Sequence, residues 1–171
     1  MRGRSVAVAL VGLLLALGTA REASADDPSF LTMGAGIFDV FDDDTAGYFR
    51  LEYRSDARLL SFIKPLVGIS ISTDGAVYGY GGFNIDLYFG RRWVFSPGFA
   101  VGAFEEGDGK DLGNTVEFRS GAEIAYRFAN RARLGLAFHH ISNASLSDRN
   151  PGANVLVLTY SLPFGYVFAS P

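Results

Sequence analysis

Eight segments of this chain alternate apolar and polar side chains with a period of two, and this pattern restricts the fold more than any other feature. The candidate strands are residues 30–40, 46–55, 63–73, 76–88, 92–104, 114–128, 131–142 and 153–164. Successive side chains of a strand point to opposite sides, so the alternation indicates a sheet with one apolar face. The chain contains no cysteine, which excludes a disulfide framework and a thiolate metal site.

The apolar face of these segments is too bulky and too aromatic to fill the inside of a small barrel. Phe49, Leu51 and Tyr53 share one face of the second segment, for example, while Arg50 and Glu52 share the other. The interior of an eight-stranded barrel is narrow and holds only a limited volume of side chains. The sequence therefore predicts an all-β fold, an eight-stranded antiparallel transmembrane β-barrel with its apolar face toward lipid.

Two further sets of side chains fit this barrel. The polar face should form a buried ion-pair network in the barrel interior, with the members Arg50, Glu52, Glu117, Arg119, Glu123 and Arg127. Aromatic side chains near strand ends suit the membrane interfaces, and these are Tyr53, Trp93, Tyr126, Phe128 and Tyr160. His139 has interior parity and is expected to be a hydrogen-bonded interior side chain.

The N-terminus has the features of a secretory signal peptide. Arg2 and Arg4 precede an apolar run over residues 6–17, and Ala23-Ser24-Ala25 is a small-residue cleavage site. We predict a signal peptide at 1–25 and a barrel at 26–171, with export to the bacterial cell outer membrane. An uncleaved N-terminal membrane anchor is the alternative.

The net charge indicates no nucleic-acid partner. The full chain carries −3, and removal of residues 1–25 takes away Arg2, Arg4, Arg21 and Glu22, which leaves about −5. No metal ligand set and no soluble cofactor is expected.

The lengths of the connections predict how the barrel is oriented. Asp42-Asp43-Asp44, residues 105–113 and residues 143–152 follow odd-numbered candidate strands, whereas residues 89–91 and 129–130 are tight turns after even-numbered ones. Outer-membrane barrels have short periplasmic turns and longer external loops. The seventh segment should then run outward and end at the level of the outer leaflet.

The seventh segment carries the candidate chemistry at that external end. Leu134, Leu136 and Phe138 are followed on the same face by His140 and Ser142. Residues i and i+2 of a strand lie about 6.6 Å apart at Cα, so an imidazole can reach a serine hydroxyl and activate it. Alternatively, both side chains only mark the point where the strand enters the headgroups.

Residues 138–152 also resemble a known family. His140-Ile141-Ser142-Asn143-Ala144 followed by Asn150-Pro151-Gly152 is similar to the PagL-type lipid A 3-O-deacylases of the outer membrane, and residues 33–40 look like that family's first strand. The resemblance extends over essentially the whole mature chain in length and strand count. It implies an eight-stranded barrel with a lipid-facing active site, in which His140 is the catalytic histidine and Ser142 the nucleophile.

Three asparagines complete the candidate site. Asn143 and Asn150 offer amide donors for a developing oxyanion, and Asn150 also matches the family's proposed oxyanion-hole asparagine. The family has a glutamate two residues after its N-P-G motif, where this chain has Asn154. Either Asn154 suffices to orient His140, or Asp148 substitutes for the glutamate, or the protein is slow or inactive.

The expected function is therefore a serine esterase that removes the 3-O-linked acyl chain of lipid A. Its partner is lipopolysaccharide in the membrane, and a homodimer is one expected oligomeric state. Two alternatives remain open. One is a non-catalytic barrel for adhesion or membrane integrity, and the other is an outer-membrane phospholipase or acyltransferase.

Overall fold

The computed structural model describes residues 27–42 and 45–167. The predicted signal peptide lies outside these residues, so its cleavage site stays a prediction. Asp43 and Asp44 of the predicted first loop lie outside them as well. Within the described ranges, no helix has the length and apolar character needed to cross a membrane.

In the described part of the chain, nine strand segments form one closed antiparallel sheet. They are β1 (Phe30–Phe38), β2 (Ala46–Arg54), β3 (Ile63–Ser72), β4 (Val77–Ile85), β5 (Leu87–Phe89), β6 (Trp93–Glu105), β7 (Val116–Arg127), β8 (Arg133–Ser142) and β9 (Ala153–Pro163). The short helix α1 (Phe164–Val167) follows β9. Strand β1 pairs with both β2 and β9, which closes the barrel, and β4 with β5 acts as a single strand against β6. The eight-stranded antiparallel barrel is confirmed.

The fourth predicted strand is interrupted at Asp86. The pairing register is the same on both sides of the gap, since Asn84 faces Gly98 and Leu87 faces Phe95. In this register Asp86 faces Ser96, and the next residue of β6, Pro97, has no N–H to donate to the ladder. Asp86 instead turns its carboxylate toward Ser96 and accepts its hydroxyl at 2.7 Å.

The two faces of the strands separate as the alternation predicts. On β8, Leu134, Leu136 and Phe138 are exposed on the outer wall, while Arg133 and His139 are buried inside. The same division holds on β2, where Phe49 and Leu51 are exposed and the arginines and Glu52 are buried. The outer wall is therefore apolar, as contact with lipid requires. The closed barrel also pairs the backbone groups of its strands within the sheet, which a membrane interior demands.

The middle of the barrel holds the predicted ion-pair network. The Arg54 guanidinium bonds both Glu52, at 2.7 Å, and Glu123, at 2.8 Å, and Arg119 donates to Glu52 at 2.8 Å. His139 lies in the same interior, where its Nε2 accepts from Arg50 at 2.7 Å. The interior role predicted for His139 is confirmed.

Two of the six predicted members lie outside this network. Both carboxylate oxygens of Glu117 are buried without a hydrogen-bond partner, and Arg127 lies 3.5 Å from Asp27 at the barrel end where β1 begins and β9 ends. Both residues have the correct parity, but they lie at opposite ends of β7, one near each mouth of the barrel. Parity predicted the face of each residue but could not predict its height.

Each end of the barrel interior is filled differently. We call the end with residue 27 and Phe164 the periplasmic end, following the orientation expected from the sequence. There, Asp27 and Asp86 accept from Arg133, at 2.6 and 3.1 Å. The opposite, external end is filled by a largely aromatic cluster, consisting of Phe38, Tyr48, Tyr78, Phe104, Leu112 and Ile141.

The connections differ partly from the expected asymmetry. The β2–β3 connection at the periplasmic end spans residues 55–62, whereas the β3–β4 connection at the external end is a tight turn over residues 73–76. Two of the other external connections, 106–115 and 143–152, are the longest, as expected, whereas the external connection 39–45 is one residue shorter than 55–62. All five predicted interface aromatics belong to the periplasmic half, where Tyr126 packs against Trp93 and Phe128 with ring centroids 5.5 and 5.3 Å away.

The charge network predicts that two buried glutamates, Glu123 and Glu117, contribute differently to the free energy of unfolding. Glu123→Gln removes the counterion of Arg50 and Arg54, which should lower the free energy of unfolding by about 3–5 kcal/mol. Glu117→Gln removes a carboxylate that accepts no hydrogen bond, so it should be neutral or stabilising. Urea unfolding of the barrel in detergent measures both variants, and an equal loss of stability in the two would contradict this account of the interior.

Candidate active site

His140 and Ser142 lie on the outer wall near the external end of β8. Both side chains are half-buried, while Ile141 between them is buried in the aromatic cluster of the interior. His140 faces Asn154 on β9 and Ser120 on β7 in the sheet register. Three polar side chains of neighbouring strands therefore lie at one height on a wall that is otherwise apolar.

The His140 imidazole is held by Asn154. Its Nδ1 lies 3.0 Å from the Asn154 Oδ1. An amide oxygen only accepts hydrogen bonds, so Nδ1 carries a proton, and in the neutral imidazole Nε2 then has the lone pair. This is the tautomer that a general base needs if Nε2 is to take a proton from a hydroxyl.

Ser142 lies two residues further along the same face and opposite Phe118. Among the described residues, its hydroxyl makes no hydrogen bond to His140, whose side-chain bond is the one to Asn154. Catalytic hydrogen bonds are often long in the free enzyme and shorten when substrate binds. The structure thus brings His140 and Asn154 into contact and places Ser142 on the same face.

The β8–β9 loop brings Asn143 and Asn150 together. Asn150 Oδ1 accepts the Asn143 backbone N–H at 3.0 Å. The Asn143 amide is buried and donates to the carbonyls of Leu112 and Arg149, at 2.9 and 2.8 Å. Its donors are therefore used to hold the loop, whereas Asn150 is exposed and its amide nitrogen makes no hydrogen bond within the described residues.

Gly152 sets the approach of this loop to the imidazole. Its φ is +65°, a conformation that disfavours any residue with a Cβ. A Cβ at this position would lie 2.8 Å from His140 Cε1 and 3.1 Å from Nε2. The glycine of the N-P-G motif therefore gives room to the imidazole, a role that the motif alone does not reveal.

Sequence reasoning missed the residues that support Asn154. Its backbone N–H donates to Asp39 Oδ1 at 3.3 Å, and its carbonyl accepts from the Val40 N–H at 2.9 Å. Asp39 is far from Asn154 in the chain and meets it only because β1 closes the barrel against β9. Asp148, the alternative acid, is exposed and makes no contact with His140 in the described structure.

The Lys110 ammonium connects this region to the β6–β7 loop. It is hydrogen-bonded to Asp39 and, at 2.9 Å, to Asp42. Burial by itself would lower the pKa of Lys110, but its hydrogen bonds to the two carboxylates raise that pKa above the usual value. Lys110 therefore stays charged at neutral pH.

No three side chains of histidine, aspartate or glutamate are grouped as metal ligands in the part of the chain that the structure describes. The polar groups on the outer wall are a base held by Asn154 and a hydroxyl, and the adjoining β8–β9 loop carries the amide donor Asn150. These groups are the components of nucleophilic ester cleavage. The apolar wall and this site together define an outer-membrane β-barrel with a candidate hydrolase site facing lipid.

Comparison with known proteins gives the family. The family model for Lipid A 3-O-deacylase (PagL) matches residues 47–163. The chain belongs to this family.

Individual relatives agree with the family. The Lipid A deacylase PagL of Bordetella bronchiseptica (strain ATCC BAA-588 / NCTC 13252 / RB50) is 27% identical over 77 residues, which are 44% of this chain and 43% of that protein. The match therefore spans less than half of that relative. A crystal structure of the outer membrane enzyme PagL has a TM-score of 0.62 at 19% identity and covers 79% of this chain and 99% of the other. A de novo designed transmembrane β-barrel has a TM-score of 0.57 at 9% identity and covers 79% of this chain and 95% of the other. The two solved structures support the barrel fold.

The contact between Gly152 and His140 predicts that one methyl group added at position 152 lowers the activity strongly. Gly152→Ala should displace the imidazole and lower kcat about 10- to 100-fold, because small displacements of catalytic groups are costly. Gly90→Ala is the matched control, since Gly90 has φ +64° but nothing within 4 Å of its Cβ position. Ester hydrolysis by the two purified barrels is the measurement. Equal activities would show that the close approach to His140 does not matter.

Proposed function

We propose that this protein is a serine esterase that removes the 3-O-linked acyl chain of lipid A in the outer leaflet of the bacterial outer membrane. The observation that carries the proposal is the hydrogen bond between His140 and Asn154 on the lipid-facing wall, beside Ser142. The family to which the chain belongs supports the reaction and the substrate.

In this proposal Ser142 Oγ attacks the carbonyl carbon of the acyl ester while its proton passes to His140 Nε2. The negative charge develops on the carbonyl oxygen, where the Asn150 amide nitrogen can donate a hydrogen bond. The ester C–O bond then breaks, and Nε2 returns the proton to the leaving sugar oxygen. Water attacks the acyl-enzyme by the same route and releases a free fatty acid and Ser142.

The location of the site favours a substrate that stays in the membrane. The wall below His140 carries Leu134, Leu136 and Phe138 on β8 and Leu156 and Leu158 on β9. An acyl chain can lie along these side chains while its ester reaches the external end of β8. A polar group on a lipid-facing wall is costly, so its presence here is consistent with a function at that height.

Asn154 is the part of the site that limits the expected rate. It fixes the imidazole orientation and tautomer, but it carries no charge to stabilise the imidazolium that forms in each step. Replacing the acid of a serine triad by its amide can cost about 10⁴ in rate. We propose that Asn154 acts as the orienting group and that the enzyme is slower than a relative with a carboxylate there.

A homodimer belongs to the proposal as well. The exposed apolar wall can pack against a second barrel or against lipid alone. Chemical cross-linking in intact outer membranes should give a dimer band, and a band only at the monomer mass would remove this part of the proposal.

The lipid itself provides the main test. Lipid A from cells that express the wild-type protein should lack one ester-linked acyl chain by mass spectrometry, whereas Ser142→Ala and His140→Ala should leave it intact. Identical lipid A in wild-type and Ser142→Ala cells would refute the esterase. A heavier acceptor lipid would identify an acyltransferase, and shortened phospholipids a phospholipase.

The asparagine at position 154 predicts an unusual gain of activity. Asn154→Glu places a carboxylate against Nδ1, which should raise kcat tenfold or more, with an upper limit of about 10⁴. Asn154→Ala should lower kcat instead, because it removes the acceptor that fixes the tautomer. Single-turnover rates of both purified variants test this, and a Glu variant that is slower than wild type would contradict the assigned role.

A further inference from the structure

We propose that residues 39–42, here called the arm, are a working part of the active site. Asp39 is a positioning residue that acts through Asn154, and Phe41 contacts the acyl chain of the substrate. The proposal rests on the esterase function proposed above and adds to it two residues outside the H-x-S and N-P-G motifs.

The arm holds Asn154 at two points. The Asp39 carboxylate accepts the Asn154 N–H, and the Val40 N–H donates to the Asn154 carbonyl. Both backbone polar groups of Asn154 are thereby bonded to the arm, while its side chain extends to His140 on the other side. A shift of the arm would therefore move the acceptor that determines the tautomer of His140.

Asp39 is itself fixed firmly enough for this task. It is buried, and its φ of +54° is a left-handed conformation that is unusual for a residue with a Cβ. Its second carboxylate oxygen is bonded to Lys110, which also bonds Asp42 at the far end of the arm. The charged ammonium thus fastens both ends of the arm to the β6–β7 loop.

Phe41 brings the arm onto the lipid-facing wall. Its ring centroid lies 5.9 Å from that of Phe138 on β8. Because β9 lies between β1 and β8, Phe41 must reach across the outer face of β9 to make this contact. The residue is nevertheless 76% exposed, which leaves the ring accessible to a neighbouring molecule.

The position of this ring suits an acyl chain. Phe138 is two residues below His140 on the same face and opposite Leu156. A chain whose ester carbonyl lies at Ser142 has to pass this height on its way into the membrane. Phe41 and Phe138 would then form an aromatic contact for the first part of the chain.

The two roles predict effects on different kinetic constants, which separates both of them from a general loss of structure. Asp39→Ala should lower kcat about tenfold with little change in KM, since it disturbs the base and not the substrate contacts. Phe41→Ala should raise KM about tenfold and leave kcat within about twofold, since it removes contact area shared by substrate and transition state.

The link from Asp39 through Asn154 is tested by a double-mutant cycle. In an Asn154→Ala background, Asp39→Ala should change kcat by less than about twofold, because the side chain that Asp39 positions is already absent. A role in barrel stability alone would give the same loss in both backgrounds and would overturn the positioning role. Should Asp39→Ala fail to fold, Lys110→Met tests the same link, and Lys110→Arg should restore kcat.

Each variant has a matched control. Phe62→Ala removes another exposed phenylalanine, at the periplasmic end, and Asp108→Ala removes an exposed carboxylate of the β6–β7 loop. Both should hydrolyse lipid A at the wild-type rate. Heat-modifiable migration on gels confirms that each barrel is folded.

The outcomes distinguish this proposal from the function on which it rests. Absence of hydrolysis by the wild-type protein would remove the esterase itself. Wild-type hydrolysis with unchanged kcat in Asp39→Ala and unchanged KM in Phe41→Ala would leave the esterase intact and overturn the arm. The predicted split between kcat and KM would support it.

Discussion

The direction in which His140 and Ser142 point depends on the burial of the side chain between them. Ile141 is only 1% exposed and belongs to the cluster that fills the external end of the barrel. A shift of β8 by one residue would exchange the two faces of the whole strand. It would expose Arg133 and His139 to lipid and move Leu134, Leu136 and Phe138 into a polar interior. The packing of one apolar residue and the charges below it thus keep a histidine and a serine on the membrane side.

The buried charges of the interior hold β8 in this register, although they add little to the stability of the barrel. Buried ion pairs stabilise little relative to apolar packing, but an unpaired member is strongly destabilising. Three arginines and two glutamates in the middle of the barrel therefore resist any register that would separate them, and these are Arg50, Glu52, Arg54, Arg119 and Glu123. The network gives the sheet a unique register more than it gives extra stability. That register determines the positions of His140, Ser142 and Asn154 on the outer wall.

Much of this geometry could be predicted from the sequence because it depends on a period of two. The strand count, the closed barrel, the two faces of β8 and the outward parity of Asn154 all follow from alternation and are confirmed. The interruption of the fourth strand at Asp86 was missed, although Pro97, next to the residue that faces Asp86, is visible in the sequence. The prediction that Glu117 and Arg127 belong to the central ion-pair network was also wrong, because alternation determines a face and not a position along the barrel.

The residues that hold Asn154 in place could not be predicted from the sequence, and the reason is a different one. Asp39 and Lys110 reach Asn154 only after the first and last strands pair and two loops meet above them. Such contacts depend on closure of the barrel, and no local spacing encodes them. The same holds for Gly152, whose motif was visible but whose contact with the imidazole required the structure. Asn143 shows the converse, since its amide donors, expected to face an oxyanion, are used within the loop.

The central claim is that Ser142, activated by His140, reacts from the membrane side of the wall. Labelling of the folded barrel in outer-membrane vesicles with a lipophilic, serine-reactive fluorophosphonate tests it most directly, with the modified residue mapped by peptide mass spectrometry. The account predicts label on Ser142 and its loss in His140→Ala. Label on another serine, or undiminished label on Ser142 without the imidazole, would contradict it.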